Sequence, residues 1–277
     1  MIVTAEDSKH ALKALLERAV VKILDNATFK GTGFFITPDH LLTAYHCVKF
    51  ADENNLFIKS NTYGRLRVIL EQDKSFPSEE IDIAVLTLAP EVLVKVTDYL
   101  PLGLITESAA TSAILAVGYP VEILSFLDGK IHGFSERHRT MFFNNAMKAE
   151  GQSGGPVYHF ATRRVVGLAL NVYQQNIMTD GGLAGRFNIL FRQWSELEAL
   201  NQQAITQWER RLKEDTHVNL PKLPPYWQYG LAGFILLVIL VLTLKSCSNN
   251  TSGDCSQIID KTTGNVSIDC NFGESHQ

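Results

Sequence analysis

Cysteine is scarce in this chain of 277 residues. Of Cys47, Cys247, Cys255 and Cys270, only the first lies before residue 247. The body of the chain therefore cannot close an internal disulfide, which points to a reducing compartment for it. Charge is also thin and nearly balanced. Lys and Arg total 25 against 29 Asp and Glu, a net charge of -4, so no basic surplus draws the chain to nucleic acid. The start, Met1-Ile2-Val3-Thr4-Ala5-Glu6-Asp7-Ser8, has neither a basic nor an apolar stretch and does not read as a signal peptide. Helices alternating with strands are missing as well, which argues against a parallel α/β sheet.

Short strand signals fill most of the chain. After an amphipathic helix within residues 1–18, strands are expected at Ala19–Leu24, Gly31–Thr37 and Leu41–Ala44. Others follow at Leu56–Lys59, Leu66–Glu71, Ile83–Leu88, Ala113–Gly118, Val157–Phe160 and Val165–Asn171, with turn residues between them. Many short strands with such punctuation predict an antiparallel barrel or sandwich. From Leu190 the period changes. Leu190, Trp194, Leu197, Ala204, Trp208 and Leu212 form a helical stripe, its first turns expected on the barrel and its later part (residues 201–225) as a stalk and linker ending at Pro221, Pro224 and Pro225. Residues 226–245 are then almost wholly apolar between Tyr226-Trp227 and Lys245. Some twenty helical residues span roughly 30 Å, enough for one membrane crossing. Residues 246–277 form a small polar tail.

Three sites stand out chemically. Gly151-Gln152-Ser153-Gly154-Gly155-Pro156 places a serine among glycines, where the backbone can turn sharply and aim N–H groups at one point. A serine hydroxyl becomes a nucleophile only when a base takes its proton. His46 follows the apolar strand Leu41-Leu42-Thr43-Ala44, where its ring can be held rigidly at a rim. Asp82 directly precedes the apolar Ile83-Ala84-Val85-Leu86, a costly place for a charge without a partner.

In order along the chain, Thr43-Ala44-Tyr45-His46-Cys47, Asp82-Ile83-Ala84-Val85-Leu86 and Gly151–Pro156 resemble the three motifs of the trypsin-like (chymotrypsin-fold) serine proteases. The resemblance covers residues 19–200. It implies an all-β domain of two six-stranded antiparallel barrels, here followed by the amphipathic helix and one transmembrane helix. It also implies a serine endopeptidase acting on protein or peptide through an acyl-enzyme, with no cofactor and no metal. Ser153 would be the nucleophile, His46 the base and Asp82 its orienter, and the N–H groups of Gly151 and Ser153 would form the oxyanion hole. Met147, six residues before the serine, would floor the substrate pocket and favour an apolar or small side chain.

The sequence departs from the secreted family members in two places. Gln152 stands where they carry the aspartate that pairs with a cleaved N-terminus, so activation of that type is not expected. Cys47 has lost its disulfide partner; the segment that would supply it reads Gly31-Thr32-Gly33. Around the apolar span, Arg210, Arg211, Lys213 and Lys222 outnumber Lys245 and Lys261, which favours a cytoplasmic protease domain at the cell membrane and a tail outside. There Cys255 and Cys270, flanking a plausible hairpin turn at 261–265, would pair. The partners expected are thus a polypeptide substrate and the lipid bilayer. A conditionally activated stress or defence effector fits these features. The rival reading is a catalytically silent trypsin-fold module that recruits a partner to the membrane.

Overall fold

The computed structural model describes residues 5–52, 54–77, 81–135, 140–144, 150–172, 181–216, 255–259 and 266–270. The chain divides into two compact units, Met1–Leu220 and Pro221–Gln277. The first unit opens with helix α1 (Ala5–Ala19) and strands β1 (Val20–Asp25), β2 (Thr28–Phe35) and β3 (His40–Ala44). Strands β4 (Leu56–Ser60), β5 (Gly64–Leu70) and β6 (Ile83–Leu88) complete a closed antiparallel barrel in the order β1-β2-β3-β6-β5-β4. A second set, β7 (Ala113–Gly118), β8 (Ser125–Ser135), β9 (Thr140–Asn144), β10 (Pro156–His159), β11 (Arg164–Val172) and β12 (Gly181–Gly185), closes a second barrel. Its order, β7-β8-β9-β12-β11-β10, repeats the connectivity of the first. The double six-stranded barrel expected from the motifs is the observed architecture.

Strand type follows burial. Phe34, Phe35, Leu41, Leu42 and the whole of Ile83-Ala84-Val85-Leu86 are buried. β6 shows no alternation because both of its faces are covered, one by the barrel interior and one by the second barrel. At that seam a side chain on Gly185 would press on the carbonyl of Ile81 at 3.2 Å. Three strands escape sequence reading. β8 carries Asp128, Gly129, Lys130, His132 and Gly133, and β12 is Gly181-Gly182-Leu183-Ala184-Gly185, both poor in β-formers. β9 (Thr140–Asn144) lies between them. β8 pairs with β7 and β9, and β12 with β9 and β11, so the sheet imposes the conformation that composition does not favour.

The C-terminal helical stripe is interrupted. α2 (Asn188–Gln193) ends at Trp194, which is extended (φ -103, ψ 93), and α3 (Leu197–Thr216) starts afresh. Residues 201–216 do not stand clear as a stalk: Ala204, Trp208 and Leu212 are buried, and the Trp208 ring meets Tyr158 edge-on at 6.0 Å. α3 straps both barrels. Arg164 of β11 pairs with Glu209 at 2.8 Å, while Arg211 reaches Asp98, which also accepts from Tyr63 between β4 and β5. Asn201 acts as a one-residue strand: its amide donates to the Leu102 carbonyl at 3.0 Å and its oxygen accepts from the Leu102 N–H at 2.7 Å.

In the second unit β13 (Cys255–Ile259) and β14 (Val266–Cys270) form an antiparallel hairpin with Cys255 directly opposite Cys270. The apolar residues 226–245 lie outside the described residues. Among the described residues no helix is long and apolar enough to cross a membrane.

Removing the Asn201 side chain strands two buried backbone groups. Asn201→Ala should lower unfolding free energy by about 2–3 kcal/mol, seen as a reduced denaturant midpoint at unchanged m-value.

Candidate active site

β3 and β6 are paired so that Ala44 faces Ile83. The residue after Ala44 and the one before Ile83 therefore emerge side by side at one rim. Tyr45 N–H bonds the Asp82 carbonyl at 3.2 Å, and Tyr45–Cys47 wind into a single 3-10 turn. Asp82 sits at φ +66, a left-handed conformation that Asp tolerates better than most residues. Its N–H is held by the Pro77 carbonyl at 3.1 Å. In this pose one carboxylate oxygen accepts the His46 backbone N–H at 2.9 Å and the other meets His46 Nδ1 at 2.6 Å. Asp82 is mostly buried, whereas a third of the His46 side chain is exposed, 34% against 13%. The ring is thus clamped at Nδ1. The hydrogen bond that His46 donates to Asp82, followed by the Cys47 side chain, raises the His46 pKa from 6.5 to about 10.

The serine loop joins the pair from the other side of the seam. Gly151 (φ +96) and Gly154 (φ +88) need glycine for their conformation and also for space. A β-carbon on Gly151 would lie 2.5 Å from the Tyr119 carbonyl, and one on Gly154 would overlap the carbonyl of Thr32. Four consecutive carbonyls are engaged. Glu150 accepts from Val121 N–H at 3.1 Å, Gly151 from the Thr32 hydroxyl at 2.7 Å, Gln152 from Gly155 N–H at 3.0 Å and Ser153 from Thr32 N–H at 2.8 Å. Gly154 N–H bonds Ala169 at 2.7 Å. With these carbonyls turned away, the N–H groups of Gly151 and Ser153 have no acceptor among the described residues.

The Ser153 hydroxyl does not meet His46. It donates to the Leu170 carbonyl near the end of β11 at 2.7 Å. The structure thus brings the His46–Asp82 pair and the Gly151–Ser153 loop to one rim, with the hydroxyl bonded to Leu170 and not to the imidazole. Met147 lies outside the described residues, as do the residues on either side of it. Cys47 is buried, and Gly31 packs directly on it: a β-carbon there would lie 2.6 Å from Sγ. Glycine at 31 is what allows a lone thiol at 47. Sequence reading missed Thr32, the Leu170 carbonyl and Val121. The first lay in plain view within Gly31-Thr32-Gly33, but strand-like sequence carries no sign of which hydroxyl is inward. The other two act through backbone atoms, which no side-chain pattern reports.

Residues 31–168 match the trypsin-like peptidase domain family. Comparison with curated proteins gives no match. Among solved structures, a serine endoprotease from Yersinia pestis is similar at 17% identity and a TM-score of 0.54, over 73% of this chain and 68% of that one. The Rv3671c protease of M. tuberculosis in its inactive form is similar at 18% identity and 0.53, over 71% and 98%. Its active form gives 17% and 0.53, over 71% and 88%. At such identities the likeness concerns the fold. Since active and inactive forms match equally well, whole-fold likeness does not separate the two states.

A raised histidine pKa stabilises the fold with its proton on: the contribution is full below pH 6.5 and is lost as pH rises through about 10. The imidazole C–H resonances of His46 should accordingly titrate far above those of an exposed histidine. Asp82→Asn should return the midpoint toward 6.5 and flatten the loss of stability between those two pH values.

Proposed function

We propose that the trypsin-like peptidase domain of this chain is a serine endopeptidase whose working residues are Ser153, His46 and Asp82. The observation that carries the reading is the doubly bonded His46–Asp82 pair at the same rim as a serine loop whose carbonyls all face away. In the reaction Ser153 Oγ bonds to the scissile carbonyl carbon as its proton passes to His46 Nε2. The carbonyl oxygen becomes negative between the N–H groups of Gly151 and Ser153. Low-dielectric, preorganised donors of this kind lower such barriers by about 3 kcal/mol each. The intermediate collapses by breaking the C–N bond, with His46 returning the proton to the leaving amine. Water, activated by the same imidazole, then releases the acyl group from Ser153. Asp82 holds the tautomer and stabilises the imidazolium throughout.

For this cycle to start, two resting features must change. The Ser153 hydroxyl must leave the Leu170 carbonyl, and His46 must surrender a proton that its surroundings hold tightly. Both favour a conditionally activated enzyme, such as a stress or defence effector, over a broad digestive one. They also lend weight to a second reading, in which the domain is catalytically silent and recruits a partner. A fluorophosphonate probe separates the two. Labelling of the wild type that disappears in Ser153→Ala and in His46→Ala is the outcome expected of the enzyme; a wild type as silent as Ser153→Ala points to the recruiting module or to an enzyme locked inactive.

The proposal extends to location. Residues 226–245 serve as a single membrane anchor, with the peptidase domain in the cytoplasm and the tail outside, where Cys255 and Cys270 face each other in register and pair. The Lys and Arg bias before the span and the single cysteine of the body support this arrangement. Met147 as an apolar pocket floor remains part of the same proposal. The full chain should stay with membranes through an alkaline carbonate wash, and a chain ending at residue 225 should not; a full chain released by the wash would exclude the anchor.

A further inference from the structure

Thr32 of β2 occupies an unusual position. Its side chain is fully buried, so it touches no substrate. Its hydroxyl nevertheless stands between the two chain segments that border Gly151. It accepts from the Tyr119 N–H at 2.9 Å and donates to the Gly151 carbonyl at 2.7 Å. Its backbone N–H bonds the Ser153 carbonyl at 2.8 Å, and its own carbonyl accepts from the Thr43 hydroxyl at 2.7 Å. One residue of the first barrel thus makes four bonds, three of them to the segments that build the anion site in the second.

The turn it holds is strained. Val121 (φ 44, ψ 39) and Glu122 (φ 65) are both left-handed, a rare state for a β-branched residue. That conformation accompanies the Val121 N–H bond to the Glu150 carbonyl. Strain of this kind persists only where neighbours over-determine it. Here Thr32 anchors Tyr119 and the Lys22 ammonium reaches Glu122 at 3.2 Å, lying over the Phe29 and Tyr119 rings. The Glu150 and Gly151 carbonyls are therefore fixed by one connected set of contacts, with Thr32 at its centre. A hydroxyl accepts and donates strongly through a single atom. β-Branching restricts its χ1, so the bridge is preset. Gly118 leaves the room it needs, since a β-carbon there would lie 3.1 Å from the hydroxyl oxygen.

We infer that Thr32 is a positioning residue that keeps the Gly151 and Ser153 N–H groups aimed at the developing oxyanion, building the anion site into the fold from the first barrel. The inference rests on the serine endopeptidase reading for its consequence but not for its geometry. Without the hydroxyl, the Gly151 carbonyl loses its only described partner and the peptide planes on either side are free to turn, placing a carbonyl where the N–H groups should converge.

The test compares wild type, Thr32→Val, Thr32→Ser and Ser153→Ala in the full chain. Thr32→Val keeps the shape and removes both bonds. Its acylation rate with a fluorophosphonate, and kcat on a peptide ester, should fall about 10- to 100-fold, below the full effect of deleting one oxyanion donor. KM should stay within about threefold, because ground-state binding is untouched. Thr32→Ser should restore the rate to within about threefold of wild type. Amide hydrogen exchange across residues 150–155 should quicken in Thr32→Val and not in Thr32→Ser. Thr32→Ala serves as the hydroxyl-free variant if valine is not accommodated. Unchanged exchange in the hydroxyl-free variants, or equal slowing in Thr32→Ser, would overturn the inference. A wild type labelled no better than Ser153→Ala would sink the endopeptidase reading alone, and Thr32 would then be judged by exchange.

Discussion

The hydrogen bonds that cross from β2 to the serine loop are the constraint on which the rest of the site depends. A loop of Gly151-Gln152-Ser153-Gly154-Gly155 has almost no conformational preference of its own, and ordering it costs about 1–2 kcal/mol per residue. Thr32 offers an N–H to Ser153, a hydroxyl to Gly151 and a carbonyl that Gly154 can approach only because it lacks a β-carbon. The loop is therefore shaped by the opposite barrel rather than by its own sequence. Gln152 is buried beside the serine within the loop so shaped.

The electrostatics of the seam describe a state at rest. The hydrogen bond to Asp82, followed by the Cys47 side chain, raises the His46 pKa, and the Ser153 hydroxyl donates to the Leu170 carbonyl. Each feature is local and reversible. Rotation about one serine bond moves the hydroxyl, and entry of a substrate strand alters the solvation of a ring that is one-third exposed. A ligand drives such a change only to the extent that it binds the second arrangement better. The carbonyls of residues 150–153, by contrast, are already bonded away from the Gly151 and Ser153 N–H groups, so on the endopeptidase reading proposed above activation concerns the serine and the proton.

The barrels themselves are held together from outside as well as along the seam. α3 crosses from Asp98 and Leu102 to β11, and its Asn201 substitutes for a strand neighbour that the 102 segment lacks on that side. Because this helix is packed along its length, the first unit extends through it to Leu220. Docking of the two barrels sets the separation of His46 and Asp82, which belong to the first, from Ser153, which belongs to the second.

Much of this was legible in the residues. The apolar run after Asp82, the Thr43–Cys47 segment and the glycines around Ser153 are short-range patterns, and each reports a local environment that the fold then provides. Strands such as Ile83–Leu88 were readable because burial on both faces demands an unbroken apolar run. β8 and β12 were not, since their conformation comes from neighbours on either side and their own composition opposes it. The break at Trp194 escaped notice for a similar reason: the helical stripe continues across it while the backbone does not. Side-chain patterns along the chain identify the candidate groups and the order in which they occur. Their arrangement comes from folding: the pairing of Ala44 with Ile83 that joins His46 to Asp82, the Ser153 hydroxyl bonded to Leu170, and the Thr32 hydroxyl bridging Tyr119 and Gly151. Those depend on backbone atoms and on contacts between distant segments, and a linear pattern of side chains carries no record of either.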